Sequence, residues 1–121
     1  MLTLAVTAAA GIGAVARYLL DQTVEHKTSG SFPLGTLVVN ITGSLLLGVV
    51  VGLGLHHGLG KSPTTVIGVG FAGGYTTFST WAWESIALRE DGEPAQGVAN
   101  ALGSFAAGLL AAAAGLGLAL L

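Results

Sequence analysis

The chain has 121 residues, 52% hydrophobic and only 8% charged, with a mean hydropathy of +0.79. That is too little charge to cover a water-soluble domain of this size, so the composition predicts a membrane protein with lipid as its surroundings. A net charge of −2, with four Lys and Arg residues scattered singly, argues against a nucleic-acid partner, and the absence of cysteine excludes disulfides and thiol chemistry.

The first apolar stretch predicts a membrane helix over about residues 2–20, uncharged until Arg17. Ala8-Ala9-Ala10-Gly11 resembles a signal-peptide cleavage site, but the positively charged beginning of such a peptide is absent and three more apolar stretches follow. Gly11 and Gly13 fit a relaxed dinucleotide fingerprint. No strand precedes them and residues 31–35 contain no acid, so they read as close-packing positions on a helix. The polar residues 21–32 predict the first connecting loop.

Pro33 marks the start of a second helix over about 34–55. Thr36, Asn40 and Ser44 recur every four residues and share one face. Thr and Ser hydroxyls can bond back to the preceding turn and read as glue between helices. The Asn40 amide cannot satisfy itself so easily, which makes it the lining candidate of this span. Gly48 and Gly52 predict a close helix contact. In the connection 56–62, Gly60-Lys61-Ser62 invites a phosphate-loop reading, but Leu55 stands where that motif needs glycine. His56 and His57 are adjacent, point apart on a helix, and read as interfacial.

The third stretch, about 63–88, would be roughly 39 Å long as a continuous helix. Its middle holds Gly73-Gly74-Tyr75-Thr76-Thr77-Phe78-Ser79-Thr80-Trp81, where paired glycines and paired threonines weaken helix propensity. A break near the bilayer midplane is expected, with freed carbonyls that must find an ion or another subunit because hydrocarbon offers no partner. Beyond it, Trp83 suits the aromatic belt, and Glu84 reads as reaching the headgroups rather than coupling to protons. A fourth span over about 95–121 is rich in Ala, Gly and Leu, with Asn100 and Ser104 on one face.

The fold expected is an all-α membrane protein, residues 1–121 forming a single four-helix transmembrane domain. Alternating the loops puts Lys61 with both termini on one side and Lys27, Arg89 and Arg17 on the other. So slight a bias suits dual topology and an antiparallel dimer. No nucleophile, base and acid fall at credible spacing and no metal-ligand cluster is evident, so no enzyme is expected. What remains is a set of neutral donors, Asn40, Ser79, Thr80, Asn100 and Ser104, suited to a small, strongly hydrated anion. Phe78 adds a ring whose positive edge could face an anion.

The nine residues Gly73 to Trp81 resemble the third-span motif of the small fluoride channels of the CrcB/Fluc family. Phe32-Pro33-Leu34-Gly35-Thr36-Leu37-Val38-Val39-Asn40 is similar to that family's opening of the second span, and Arg17 also fits. The resemblance covers essentially the whole chain. It implies a passive channel that exports fluoride from the cytoplasm across the cell inner (plasma) membrane and relieves fluoride toxicity. It implies an antiparallel homodimer with two pores. Phe78 would be one of two pore aromatics per subunit, Ser79 and Thr80 part of a polar track, and Asn40 a residue on the same path. Thr36, Trp81, Asn100 and Ser104 complete the candidate pore set. The carbonyls of Gly73 and Thr76, from both subunits, would hold a structural sodium ion.

Two positions depart from the family pattern. Trp81 stands where relatives usually have a second Phe, and Asn100 where many have Tyr. Trp keeps an aromatic edge, adds an N–H donor and is bulkier, so a non-conducting partner in a heterodimeric channel is one alternative. A small dual-topology multidrug or cation exporter is another, although it would want an acidic residue deep in an early span, and the first span has none.

Overall fold

A computed structural model describes all 121 residues, and every regular element is helical. Helix α1 spans Leu2–Lys27 and α2 spans Leu34–His56. Helix α3 covers 61–75, made of Lys61–Thr64, a π-helical stretch Thr65–Ala72 and a last turn Gly73–Tyr75. Helix α4 is Ser79–Glu90 and α5 is Pro94–Leu118, itself widened to π-helical turns over Ala99–Gly103. Helices α1, α2 and α5 are each long and apolar enough to cross a membrane. Helices α3 and α4 divide the remaining apolar stretch between them.

Between α3 and α4 the backbone leaves helical space at Thr76, with φ −80° and ψ 161°, and returns to it at Phe78, with φ −91° and ψ −45°. The surrounding sequence gives the chain little reason to continue as a helix here, since Gly73, Gly74, Thr76 and Thr77 are all poor helix formers.

The residues expected as the first loop behave differently: α1 continues through Lys27. No Gly or Pro falls between Gly13 and Gly30. Thr23 Oγ1 donates to the Leu19 carbonyl at 2.8 Å, and His26 Nδ1 lies 2.7 Å from that of Gln22. A carboxylate oxygen of Glu25 then accepts the Gly35 N–H at 3.1 Å. That bond satisfies one of the unpaired amides at the start of α2 and places negative charge at a helix N-terminus.

The helices associate as two parallel pairs, α1 with α3 and α2 with α5. In each, backbone meets backbone. A Cβ added at Gly13 would land on the Phe71 carbonyl, and one at Gly48 would land on that of Ala112. Small residues permit this approach where lipid removes the hydrophobic drive between helices. Gly11 does not share in the seam; an added Cβ there meets nothing within 4 Å. Large apolar side chains such as Leu4, Val69 and Leu110 point outward, and the buried apolar set is short: Val39, Val50, Ala72, Tyr75, Leu88 and Ala119. This is the distribution lipid favours. At one end of the bundle His57 Nε2 lies 2.6 Å from the Ala119 carbonyl, so this histidine, expected to be merely interfacial, fastens α2 to the end of α5.

Candidate functional site

The interruption between α3 and α4 is fixed from both sides. On one side, Asn40 of α2 donates Nδ2–H to the Thr77 carbonyl at 2.9 Å and accepts the Thr77 N–H on Oδ1 at 2.9 Å. A side-chain amide offers a donor and an acceptor in one plane, so it replaces both hydrogen bonds that a helix would have supplied. On the other side, Arg17 of α1 donates from Nη1 to the Thr76 carbonyl at 3.2 Å. Thr76 Oγ1 bonds back to the Ala72 carbonyl at 2.9 Å. Thr77 Oγ1 accepts the Thr80 N–H at 3.2 Å and donates to Thr80 Oγ1 at 3.0 Å, capping the start of α4. Tyr75 steadies the last turn of α3: its hydroxyl lies 2.8 Å from Thr42 Oγ1, and its ring stacks on Phe71 with centroids 5.6 Å apart.

Beside the interruption lies an open cavity of about 400 Å³. Of the sequence-predicted residues, Asn40, Gly73, Thr76, Phe78, Trp81 and Ser104 line it, and no Asp, Glu, Lys or Arg does. The Phe78 and Trp81 rings stand 5.0 Å apart with planes inclined by 59°, and Phe78 is 76% exposed on the surface of the single chain. The Trp81 Nε1–H donates to the Asn100 carbonyl at 3.0 Å. The hydroxyl protons of Thr76, Thr77 and Ser104 and the Trp81 indole N–H are taken by protein acceptors, so the uncharged hydrogens this wall offers are those of the Asn40 amide, the Ser44 hydroxyl and the aromatic rings.

A second cavity, of about 340 Å³, is lined by Thr36 and Thr80 together with Asp21, Glu25, Glu84 and Asp91. The Thr36 hydroxyl does not bond back along its own helix but donates across the bundle to Glu84 Oε1 at 2.5 Å. Glu84 is half-buried beside this cavity. A hydroxyl facing a carboxylate across the bundle makes the stronger, charge-assisted bond.

Ser79 lines neither cavity and is exposed at the first position of α4. Asn100 lines neither and is 1% exposed, enclosed between α4 and α5. Sequence reasoning missed Arg17 as a donor to the interruption, Thr77 as a cap, and Ser85 as a partner of Asn100. The spacing from Thr77 to Thr80 was a usable signal for the cap. Arg17 stood out as the one charge of the first apolar stretch, but its partner, 59 residues away, did not follow from that.

These features define a multi-pass membrane protein whose polar groups gather where α3 gives way to α4. A family model described as "CrcB-like protein, Camphor Resistance (CrcB)" matches residues 4–116, and the chain belongs to that family. It is 43% identical over 118 residues to the fluoride-specific ion channel FluC 1 of Leifsonia xyli subsp. xyli, which covers 98% of this chain and 85% of the relative. It is 46% identical over 105 residues to the fluoride-specific ion channel FluC 2 of Mycobacterium tuberculosis, or 87% and 80% of the two chains. With the FluC 2 of Cutibacterium acnes it shares 43% identity over 119 residues, 98% of this chain and 97% of the relative.

Proposed function

We propose that the chain is the subunit of a passive, fluoride-selective channel in the cell membrane, and that it lets fluoride leave the cytoplasm. The observation that carries this reading is the uncharged cavity in which Asn40, Phe78, Trp81 and Ser104 meet beside the interruption, in a chain whose relatives are named fluoride-specific channels. Neutral donors replace the water around a small anion without trapping it as a full positive charge would. Phe78 and Trp81 offer ring edges, the positive part of the aromatic quadrupole. Thr36 and Thr80 line the second cavity with Asp21, Glu25, Glu84 and Asp91, where the Thr36 proton is given to Glu84; they and Ser79 at the start of α4 are the remaining members of the proposed path.

The working unit in this reading is an antiparallel dimer, whose two copies bring their interruptions together near the midplane. The carbonyls of Gly73 and Thr76 then face their counterparts and hold one sodium ion. The residues fit such an ion: Gly73 is exposed, both donors are neutral oxygens, and Arg17 occupies only one of the two lone pairs on the Thr76 carbonyl. The ion would neutralise partial charges at helix ends that hydrocarbon leaves unmet.

The test is initial fluoride efflux from liposomes containing the purified protein, followed with a fluoride electrode. Rapid release with fluoride far preferred over chloride, and without an imposed proton gradient, is the result expected. Release that requires a proton gradient, or an intact dimer that releases nothing, overturns the proposal.

A further inference from the structure

The two positions that depart from the family pattern meet in space. Every polar atom of the Asn100 side chain has a partner. Nδ2 donates to Ser85 Oγ at 2.9 Å and to the Trp81 carbonyl at 3.4 Å, and Oδ1 accepts from Ser104 Oγ at 2.9 Å. The Asn100 carbonyl accepts from two donors, the Trp81 indole N–H at 3.0 Å and the Ser104 backbone N–H. Donor directions around this ring are forced. Ser85 accepts from the amide nitrogen, so its single hydroxyl proton goes to the Trp81 carbonyl, 2.8 Å away. Ser104 likewise gives its only hydroxyl proton to Asn100. Trp81 is therefore held at both its backbone and its indole, and the ring so held is the one inclined against Phe78. It borders a cavity large enough for an unanchored indole to change rotamer.

We propose that Asn100 is a positioning residue. It does not meet the ion: its backbone carbonyl receives the Trp81 indole N–H, and its side-chain amide, bonded to Ser85 and to the Trp81 carbonyl, fixes the Asn100 carbonyl against α4 so that the indole keeps its angle to Phe78 along the cavity wall. Its effect on conduction rests on the channel reading above; its effect on the indole does not.

The experiment uses the Trp83→Phe protein as reference, leaving Trp81 as the sole tryptophan. Asn100→Leu keeps the volume and the backbone carbonyl that accepts the indole N–H but removes the amide that fixes this carbonyl against α4, and Ser85→Ala is a milder second variant that removes one member of the ring. For dimers shown to be folded, near-ultraviolet circular dichroism and acrylamide quenching of Trp81 are measured first. Weakened indole bands and easier quenching are expected, whereas a residue that only adds stability would lower the melting temperature and leave the folded-state spectrum alone. An unchanged Trp81 spectrum in both variants overturns the proposal. Fluoride efflux is then compared with Trp or Phe at position 81. Asn100→Leu should slow efflux roughly three- to tenfold when Trp81 is present, the range that one net hydrogen bond supplies, and distinctly less when Phe, which has no N–H to hold, replaces it. Equal losses on the two backgrounds overturn the coupling. If the unsubstituted protein does not conduct, the channel reading fails while the spectra still decide the role of Asn100.

Discussion

Asn40 and Thr77 face each other through two hydrogen bonds of 2.9 Å, one in each direction, across 37 residues of sequence. The pairing makes Asn40 a clamp on the interruption as well as part of the cavity wall. Asn40→Leu would leave the Thr77 N–H and carbonyl without partners in apolar surroundings, at a cost of about 1–3 kcal/mol for each. A lowered melting temperature in mild detergent is expected, together with loss of fluoride efflux. Asn40→Asp should also be damaging, because a carboxylate still accepts the N–H but repels the carbonyl. Unchanged melting of the Leu variant would show that the clamp carries no stability.

Phe78 and Trp81 separate two explanations of anion passage. Phe78→Ile keeps an apolar side chain and removes the ring edge, and it should abolish efflux. Trp81→Phe keeps an edge and gives up one hydrogen bond, so its efflux should fall by less than about tenfold, the rate equivalent of 1.4 kcal/mol. Both are read as initial rates from liposomes, after each variant has been shown to dimerise. If Phe78→Ile conducts like the parent, ring edges are not what the ion uses.

Sodium dependence tests the carbonyls of Gly73 and Thr76. If the proposed dimer holds sodium there, replacing sodium with a large organic cation throughout purification should lower its melting temperature and slow efflux, since the helix-end carbonyls would lose their counter-charge. Equal melting and equal flux in the two cations would count against the site.

The helix seams give a prediction independent of transport. Gly13→Ala forces a methyl group against the Phe71 carbonyl and should destabilise the chain by about 1–3 kcal/mol through overpacking. Gly11→Ala, two residues away with open space around it, should be neutral or stabilising by up to about 1 kcal/mol from helix propensity. Thermal unfolding of the two variants side by side checks the contrast.

Apolar runs, proline and glycine made most of the helical layout readable, because lipid allows a backbone few alternatives. The interval 21–27 was misread because polarity alone was taken as a sign of a loop; the absence of Gly and Pro there was the better guide. The π-helical widening at Thr65–Ala72 and Ala99–Gly103 left no trace in composition, since it depends on what each turn packs against. At the site, residue types pointed to Asn40 and Phe78, but partners did not follow from them. The pairing of Thr36 with Glu84 joins residues 48 apart, and the burial of Asn100 depends on Ser85 and Trp81 arriving from another helix. One-dimensional spacing places a residue on a face; it does not say which neighbour that face will meet.

The ring that encloses Asn100 has a consequence for what travels beside it. Ser104, Asn100 and Ser85 form a continuous series of hydrogen bonds ending on a peptide carbonyl, yet the middle member is an amide. An amide neither releases nor takes up a proton near neutral pH, so a proton cannot hop along the series as it would along a file of water molecules or hydroxyls. The series therefore gives acid no route of its own beside the cavity, and its donors stay committed to one another while an anion passes.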